Sequence, residues 1–388
     1  MRGRIVKNEG KRGVSYSAIV DVGADPVTGD RKQKKKTFKT KKDAEKWVSD
    51  TIAEVNRGTY IEPAKTTVRD WLTDWLKSYG KQNLAPTTYQ GHKMIIEKHL
   101  IPELGGIPLS DLKPKHIRDY YQAALESGRK DGKVKLLGPG LSATTVNQHH
   151  RVLREALQHA LELEMIARNP ADAVKPPRKV KHEIKFLPVE DANKIINLFK
   201  GTYLFVPVFL AVTTGARRAE ILALSWPDID LEKGIANIRR GLYTTKEQGL
   251  FFKETKNKTS QRAVDISPEV IRNLKAHKKE QSREKLAMGG GYDDNQLVCS
   301  LQNGKPIIPA TLTKRFQEVT EKAGYKVTFH QLRHAHASFL LQQGDHPKVV
   351  SERLGHSNIA ITMDLYSHVA PTLQKEAAAK LDNLLFGK

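Results

Sequence analysis

The stretch DIDLEKGIANI, residues 228–238, decides the fold class of the last part of the chain. Together with KETKNKTSQRAVDIS, residues 253–267, it shows the apolar alternation of short β-strands, whereas the flanking segments have helical periodicity. The segment lacks the strand–helix–strand repeat that would suggest a doubly wound parallel sheet. We therefore predict that residues 186–388 form a mixed, mainly helical domain with a small antiparallel sheet, within a multidomain α+β protein.

The preceding segment, residues 66–172, is helical throughout its pattern. The stretch TVRDWLTDWLKSY spaces its apolar residues along one helical face: Val68, Trp71, Leu72, Trp75, Leu76 and Tyr79. A second helix is predicted to start at Pro86 and to end before LIPELGGIP, a third covers about PKHIRDYYQAALES, and a fourth runs from Ser142 until RNPADAVKPPRK stops it. These patterns predict a four-helix domain.

The first 62 residues predict a small antiparallel sheet followed by a helix. VSYSAIVDV alternates, DPVTGD is a turn signal, and RKQKKKTFKT reads as a basic strand. Thr40 with Asp43 resembles a capping box, and Gly58 is the predicted end of the helix. Its apolar stripe consists of Ala44, Trp47, Val48 and Ile52.

The basic, proline-rich residues 173–185 separate the two larger domains as a linker that can wrap a duplex. At the other end of the chain, TLQKEAAAKLDNLLF predicts an amphipathic helix beyond Tyr366. Two interpretations of this helix stay open: an exchangeable contact to a neighbouring subunit, or a helix folded onto its own domain.

The charge of the chain favours a polyanionic partner. Its 388 residues include 65 Lys and Arg against 43 Asp and Glu, for a formal net charge of +22 and a pI near 9.8. Nucleic acid is the leading candidate and an anionic membrane the weaker one. No apolar run reaches the roughly 18 residues of a membrane span and no signal peptide is evident, so we expect a cytoplasmic protein.

The single cysteine, Cys299, excludes a disulfide within the chain and a thiolate metal cluster, and we expect it to be inert packing. The densest charge lies in RKQKKKTFKTKK. Its lysines form either a solvated face or a set of phosphate contacts along a strand. The candidate DNA-binding residues are Lys32, Lys34, Lys35, Lys36 and Lys39.

The final domain carries the side chains that metal-free cleavage of a phosphodiester requires, namely fixed cations, a nucleophile and a proton donor. Arg217 in TTGARRAEILAL and Arg333 in HQLRHAHA can grip phosphate oxygens bidentately. Lys256 is a candidate acid, and a phenol of pKa about 10 makes Tyr366 in MDLYSHV an activatable nucleophile. Two histidines can donate hydrogen bonds or relay protons: His330 and His356.

Each of these signals is weak alone, but their order and company resemble the catalytic domain of the tyrosine recombinases, especially integrases of temperate phages and integrative elements of Gram-positive bacteria. The matching stretches are TGARRAE, the lysine in TKNKTSQR, HQLRH, LGHSN and MDLYSHV. The resemblance implies the following roles: Arg217 and Arg333 as phosphate clamps, Lys256 as general acid, His330 as proton relay, His356 as hydrogen-bond donor to phosphate, Tyr366 as nucleophile, and Glu220 as a supporting acid.

The same resemblance extends over nearly the whole chain. Residues 1–62 look like an arm-type DNA-binding domain, residues 66–172 like a core-binding domain, and residues 186–388 like the catalytic domain with its tail helix. Two placements have neighbours as rivals. Lys253 and Lys258 lie close to Lys256, and Arg218 adjoins Arg217.

Other classes of protein fit less well. His330 and His334 have the spacing of two zinc ligands, but Gln331 stands where a metalloprotease has glutamate. A metal-dependent transposase needs clustered acids, and the available aspartates suit turns and strand ends: Asp228, Asp230 and Asp265. A phosphate-binding GxxxxGK[ST] loop is absent, which argues against the use of ATP. We also expect no other cofactor and no metal.

We therefore expect an integrase that joins a mobile element to a chromosome through a 3′-phosphotyrosyl link. A homotetramer on double-stranded attachment sites would act, with an excisionase and host DNA-bending proteins as helpers, in association with the bacterial nucleoid. A relaxing topoisomerase with the same chemistry and a non-catalytic DNA-binding regulator are the alternatives.

Overall fold

The computed structural model describes residues 3–10, 13–24, 30–56, 66–179, 187–254 and 261–387. The chain divides into two compact units, Met1–Lys181 and His182–Lys388. Across the described parts of the chain, every helix is too short or too polar to traverse a lipid bilayer.

The first unit opens with an antiparallel sheet of three strands covered on one face by a helix. The strands are β1 (Gly3–Gly10), β2 (Gly13–Ala24) and β3 (Arg31–Phe38), in that order, and the helix is α1 (Lys41–Asn56). Ala18, Val20 and Ala44 are fully buried between sheet and helix. The Thr40 hydroxyl accepts from the Asp43 N–H at 3.2 Å, so the predicted cap is confirmed, while Gly58 lies outside the described residues.

The rest of the first unit is helical. Its helices are α2 (Val68–Trp75), α3 (Lys81–Asn83), α4 (Pro86–Ile95), α5 (Ile101–Leu104), α6 (Pro114–Ser127), α7 (Val134–Leu137) and α8 (Ala143–Glu162). The predicted stripe is buried except for Tyr79, which is half-buried in the π-helical turn after α2, and α8 packs over this core. The indole N–H groups of Trp71 and Trp75 donate to the Ala156 carbonyl at 2.9 Å and to His159 Nδ1 at 2.6 Å.

The predicted end of the second helix is wrong by one turn. A π-helical turn, Ile96–Leu100, continues α4 directly into α5, so LIPELGGIP does not break the helix at its start. In the wider turn, the Ile101 N–H donates to the Ile96 carbonyl. Pro102, which has no N–H, follows directly after this wider turn, at the start of α5.

The second unit mixes helices with two small sheets. Its elements are α9 (Val189–Leu198), α10 (Phe205–Thr214), α11 (Arg218–Ala223), β4 (Ile229–Asp230), β5 (Ile235–Ile238), β6 (Arg240–Thr245), β7 (Gly249–Glu254), β8 (Arg262–Asp265), α12 (Pro268–Met288), α13 (Pro309–Lys322), α14 (Phe329–Gln342), α15 (Pro347–Leu354) and α16 (Ala360–Phe386). The predicted sheet exists as β4-β5-β8, all antiparallel. A mixed helical fold with small antiparallel sheets is therefore confirmed.

The hairpin β6-β7 was not predicted. Its strands pair from Arg240 with Glu254 to Thr245 with Gly249, around a short turn. Most of the segment GLYTTKEQGLFFKE is exposed or half-buried, and it lacks the clear apolar alternation that identifies a strand. Pairing between the two strands, with Tyr243 opposite Phe251, stabilises the hairpin.

The core of the second unit is aromatic and aliphatic. Phe316 stacks on Phe199 and meets Phe329 edge-on, which joins α13, α9 and α14. Cys299 is 1% exposed in this core, and burial raises the pKa of its thiol. Its predicted role as packing agrees with this position.

The last helix begins earlier than predicted. α16 includes Tyr366, which the sequence pattern had placed before the helix. Thr362 and Leu365 in its first turns are buried, and α16 contacts α14 and α15. Tertiary packing therefore supports a helical start that the pattern of the tail alone did not reveal.

Candidate active site

The turn between α10 and α11 brings the first candidate residue into place. α10 ends at Gly215, whose φ of +66° is in the left-handed region. A Cβ there would lie 2.5 Å from His336 Cδ2, so only glycine fits. Two residues later, Arg217 is the N-cap of α11, and its own N–H donates to Glu220 at 2.8 Å.

Glu220 is a buried carboxylate held by two arginines. It is 4% exposed and accepts from Arg217 Nη1 at 2.8 Å and from Arg262 Nη2 at 2.9 Å. Burial by itself raises the pKa of Glu220, but the hydrogen bonds and charges of Arg262 and Arg217 outweigh it and lower the pKa below its usual value. Glu220 is therefore ionised at neutral pH and orients both guanidinium groups.

Three successive carbonyls at the end of α15 accept from three of the described arginines. The Arg353 carbonyl accepts from Arg262 Nε at 2.6 Å. The next two carbonyls accept from Arg333 and Arg217, each at 2.8 Å, through Leu354 and Gly355. The C-terminus of a helix has free carbonyls and a partial negative charge, so it is a suitable anchor for clustered cations.

Arg333 is the most buried of these cations. It projects from α14, is 4% exposed, and donates with Nη1 to the Gly215 carbonyl at 2.7 Å. Burial and the charge of Arg217 lower the pKa of Arg333 to about 9. It remains charged at neutral pH, with its guanidinium fixed between α15 and the turn that carries Arg217.

His356 follows directly after the anchored carbonyls. Gly355 has a left-handed φ of +66° and ends α15, and His356 Nδ1 lies 2.9 Å from the Thr362 hydroxyl. Burial, together with the charges of Arg333 and Arg217, lowers the pKa of His356 to about 4. At neutral pH His356 is a neutral hydrogen-bonding group, not a cation.

His330 occupies the first turn of α14, one turn before Arg333. Its ring meets the ring of His334 edge-on, with centroids 4.7 Å apart. Partial burial, His334 and Arg333 lower the pKa of His330. Like His356, it is therefore neutral at pH 7 and able to accept or pass on a proton.

Among the residues that the structure describes, the His330–His334 pair has no third potential metal ligand beside it. Within the described ranges, no group of three or more His, Cys, Asp or Glu side chains is arranged to hold a metal ion. Gln331, between them, accepts from the Thr328 N–H at 2.7 Å and caps α14. Asp230 likewise accepts from backbone N–H groups of its own turn, at Glu232 and Lys233.

The side chains of two predicted catalytic residues lie outside the part of the chain that the structure describes. Lys256 lies outside the described residues, as does its rival Lys258, and the side chain of Tyr366 is also outside them. The helix start before Tyr366 is well anchored. Leu365 is 2% exposed and packs with a small core cluster of α14 and α15, and Thr362 bonds to His356.

The other rivals separate clearly in space. Arg218 donates to the Thr313 hydroxyl, whereas Arg217 joins Glu220 and Gly355. The cluster is thus formed by Arg217, not by its neighbour. Lys253 lies on β7 opposite Gly241.

Arg262 belongs to the cluster but was missed by sequence reasoning. A signal was available: Arg262 and Val264 are two residues apart on β8 and so share a face, and Val264 is 1% exposed. An arginine on the buried face of a strand needs an acidic or hydrogen-bonding partner, and Glu220 is that partner. His336 was also missed. It contacts the Val212 carbonyl through Nδ1 and accepts from Arg353 Nε.

The five candidate DNA-binding lysines do not share one face of the first sheet. Lys34 and Lys36 pair with Val20 and Ala18, on the side that α1 covers, whereas Lys35 pairs with Ile19 on the opposite side. Lys32 is opposite Gly23 beside a β-bulge, and Lys39 follows the strand. Lys36 lies over the Phe38 ring, 5.5 Å from its centroid.

Taken together, the described cluster can bind and polarise an anion. Among the described residues, it gathers buried and half-exposed guanidinium groups around the ionised carboxylate of Glu220, with neutral histidines at its edge. Fixed cations of this kind stabilise the charge that grows on phosphate oxygens.

Family models match most of the chain. The Phage integrase family matches residues 185–372, the Phage integrase N-terminal SAM-like domain residues 67–125, and the Arm DNA-binding domain residues 5–55. A Tyrosine recombinase XerC-like protein of Caldanaerobacter subterraneus is 31% identical over 95% of this chain and 96% of its own length. The ICEBs1 integrase of Bacillus subtilis is 27% identical over 95% and 97%.

The fold has solved counterparts as well. One is the Tn1549 transposon integrase, residues 82–397, in complex with a circular intermediate DNA. It has a TM-score of 0.66 and 19% identity, over 80% of this chain and 99% of that one.

Proposed function

Because this chain belongs to the phage integrase family of tyrosine recombinases, enzymes that cleave and rejoin DNA, we propose that Tyr366 is the nucleophile of a site-specific integrase. The observation that carries the proposal is the arginine cluster at the end of α15, beside the anchored first turns of the helix that bears Tyr366. Fixed cations and a phenol on an adjacent, packed helix are what attack on a phosphodiester needs.

The cleavage step balances with residues of this chain. The Tyr366 hydroxyl gives up its proton to His330, its oxygen attacks the phosphorus, and the bond from phosphorus to the 5′ oxygen breaks. Lys256 donates a proton to the leaving 5′ oxygen, and the DNA 3′ end stays linked to the tyrosine. Arg217 and Arg333 bind the non-bridging oxygens, His356 donates a hydrogen bond to one of them, and His330 relays a proton.

Glu220 supports this step without touching the substrate. Its ionised carboxylate fixes the Arg217 guanidinium, which is 38% exposed and so has N–H groups left for a phosphate. Rejoining reverses the chemistry, with a 5′ hydroxyl from the partner strand attacking the phosphotyrosine. The energy of the broken diester is retained in this link, so the exchange consumes no ATP, and the fixed arginines supply the positive charge that a metal ion would otherwise provide.

The domains divide the work. Residues 1–62 bind arm-type sites, residues 66–172 and 186–388 clamp the core site, and residues 173–185 connect them along the duplex. Exchange between two duplexes cuts four strands, so a homotetramer acts on the DNA. An excisionase and host DNA-bending proteins set the direction, and the enzyme acts on chromosomal DNA in the bacterial cytoplasm, at the nucleoid.

The test uses nicked duplexes that carry the junctions flanking the element. Incubated with the full chain in EDTA, they should yield a protein–DNA adduct that resists denaturant. Tyr366→Phe removes the attacking oxygen, so the adduct should vanish, whereas the matched control Tyr203→Phe, at an exposed tyrosine of the same unit, should form it normally.

Three results would count against the proposal. An adduct with Tyr366→Phe would assign the nucleophile elsewhere. Tight binding without any adduct would favour a non-catalytic regulator. Equal adduct on duplexes of scrambled sequence would favour a relaxing topoisomerase.

A further inference from the structure

Arg262 links three elements of the cluster through one side chain. It is the first residue of β8 and its side chain is 7% exposed. Nη1 and Nη2 donate to the two Glu220 oxygens at 3.3 and 2.9 Å, so the guanidinium meets the carboxylate as a fork. Nε donates to the Arg353 carbonyl at 2.6 Å. β8, α11 and α15 therefore meet at this group.

Packing gives Arg262 a second hold on α15. A Cβ on Gly355 would lie 3.0 Å from Arg262 Nη1 and 3.1 Å from its Cδ, so the backbone after α15 rests directly on the arginine. Gly355 is also the residue whose carbonyl accepts from Arg217. A displacement of Arg262 would thus move two acceptors that orient Arg217, namely the Glu220 carboxylate and the Gly355 carbonyl.

We propose that Arg262 is a positioning residue, which holds Glu220 and the C-terminal carbonyls of α15 in the geometry that Arg217 and Arg333 need to bind the scissile phosphate. This inference rests on the proposed function, since it assigns a task within the same site. Arg262 acts through Glu220 and the backbone and not on the reacting atoms. Lysine could keep the charge but could not bridge both partners, because only a guanidinium presents a planar fork and a separate Nε–H.

The charge around Glu220 provides a signature that a loss of packing alone would not produce. Of the described groups, Arg217 and Arg262 face this carboxylate, and Arg333 and Tyr243 interact with it electrostatically. Without Arg262, burial would dominate and the pKa of Glu220 would rise. Cleavage should then weaken as the pH falls and Glu220 takes up a proton, in a range where the natural chain is unaffected.

The experiment measures single-turnover adduct formation on the nicked junction duplex at saturating protein, from about pH 5.5 to about pH 8, with the DNA dissociation constant and the thermal midpoint alongside. Arg262→Gln should slow the adduct about 10- to 100-fold, as expected for a small misplacement of catalytic groups. Its rate should fall further toward acid, while DNA affinity changes little. Arg262→Lys should recover part of the rate and the flat pH profile.

The matched control is Arg272→Gln, which removes an exposed arginine paired with Glu269 on α12 and should leave the rate unchanged. Adding Glu220→Gln to Arg262→Gln should remove the acid loss, because the titrating group is gone. If Arg262→Gln does not fold, a double-mutant cycle of Arg262→Lys with Glu220→Gln replaces it. We expect the effects of these two substitutions on the rate of adduct formation to be strongly non-additive.

Two outcomes would overturn the inference: Arg262 variants at the natural rate, or an equal loss at every pH that lysine does not relieve. In the cycle, simple additivity would overturn it as well. If the natural chain itself forms no adduct, the proposed function fails, which is a separate result.

Discussion

At the scale of single residues, backbone carbonyls do much of the work of holding the cations. Arg333, 4% exposed, donates to the carbonyls of Gly215 and Leu354. A carbonyl satisfies the N–H groups of an arginine without neutralising its charge. The positive charge of the site therefore remains available for a phosphate, and Glu220 compensates only part of it.

Burial also keeps nearby histidines neutral, and this makes the fold sensitive to acid. Burial and Arg353 lower the pKa of His336 to about 4, against about 6.5 in an unfolded chain. Below pH 6.5 the unfolded chain takes up a proton that the folded protein does not. The free energy of unfolding therefore falls as the pH drops from about 6.5 toward 4, by up to about 1.4 kcal/mol per pH unit for each such group.

We predict that His336→Gln makes the thermal midpoint less dependent on pH between 7 and 5. Glutamine can keep a donor toward the Val212 carbonyl and an acceptor for Arg353 but does not titrate. The dependence should shrink without disappearing, because the lowered pKa values of His149 and His356, both about 4, act in the same direction.

Thermal unfolding at several pH values checks this. Val350→Ala, which shortens a fully buried side chain on α15, serves as the control. It should lower the midpoint at every pH and leave the acid slope as in the natural chain. A steeper slope in His336→Gln would contradict the linkage argument.

At the scale of elements, α15 organises the site. The carbonyls at its C-terminus accept hydrogen bonds from arginines at the N-terminus of α11, on β8 and on α14. Gly355, directly after α15, is followed by His356. Gly355 makes this possible because its left-handed backbone ends the helix and leaves room for Arg262.

We predict that Gly355→Ala costs more than the matched change Gly344→Ala. Both glycines have positive φ after a helix, so each alanine pays about 1–2 kcal/mol for a left-handed backbone. At Gly344 nothing lies within 4 Å of an added Cβ, but at Gly355 the Cβ meets Arg262. The Gly355 variant should also slow adduct formation.

Urea unfolding and the nicked-duplex assay test this pair together. Equal stability losses and equal cleavage rates for the two variants would show that the contact with Arg262 is unimportant.

Much of the secondary structure was predictable because it follows from the local spacing of apolar and polar residues. The α2 stripe, α6, α8 and the strands of the β4-β5-β8 sheet each follow a pattern within their own segment. The errors lie where packing or unusual turns take over. The π-turn before α5 removes an expected helix end, and buried Thr362 and Leu365 support an α16 that starts before Tyr366.

At the scale of the whole molecule, net charge is the property that bears most on association with DNA. A formal net charge of +22 favours association with a polyanion, and the proposed phosphate-binding arginines lie within the second unit. Phosphate contacts of this kind release counterions from DNA, so affinity depends on salt.

We predict that binding of the full chain to its core site weakens by about 10³-fold or more between 50 and 200 mM salt. Replacing Lys35, which is exposed on the face of the first sheet away from α1, by alanine should reduce the salt slope by about one for arm-site DNA. Gel-shift titrations over a salt series give both values. An affinity independent of salt would contradict a phosphate-dominated interface.

The sequence by itself determined most of the helical and strand segments, the α+β class, the basic character and the ordered set of candidate groups from Arg217 to Tyr366. These are properties of composition and of short-range pattern. Only the tertiary structure decided how the groups meet: three arginines on successive carbonyls, Glu220 kept ionised by Arg262, and histidines kept neutral by burial. Arg217 and the Gly355 carbonyl are 138 residues apart in the chain, and no local pattern encodes a contact over that separation.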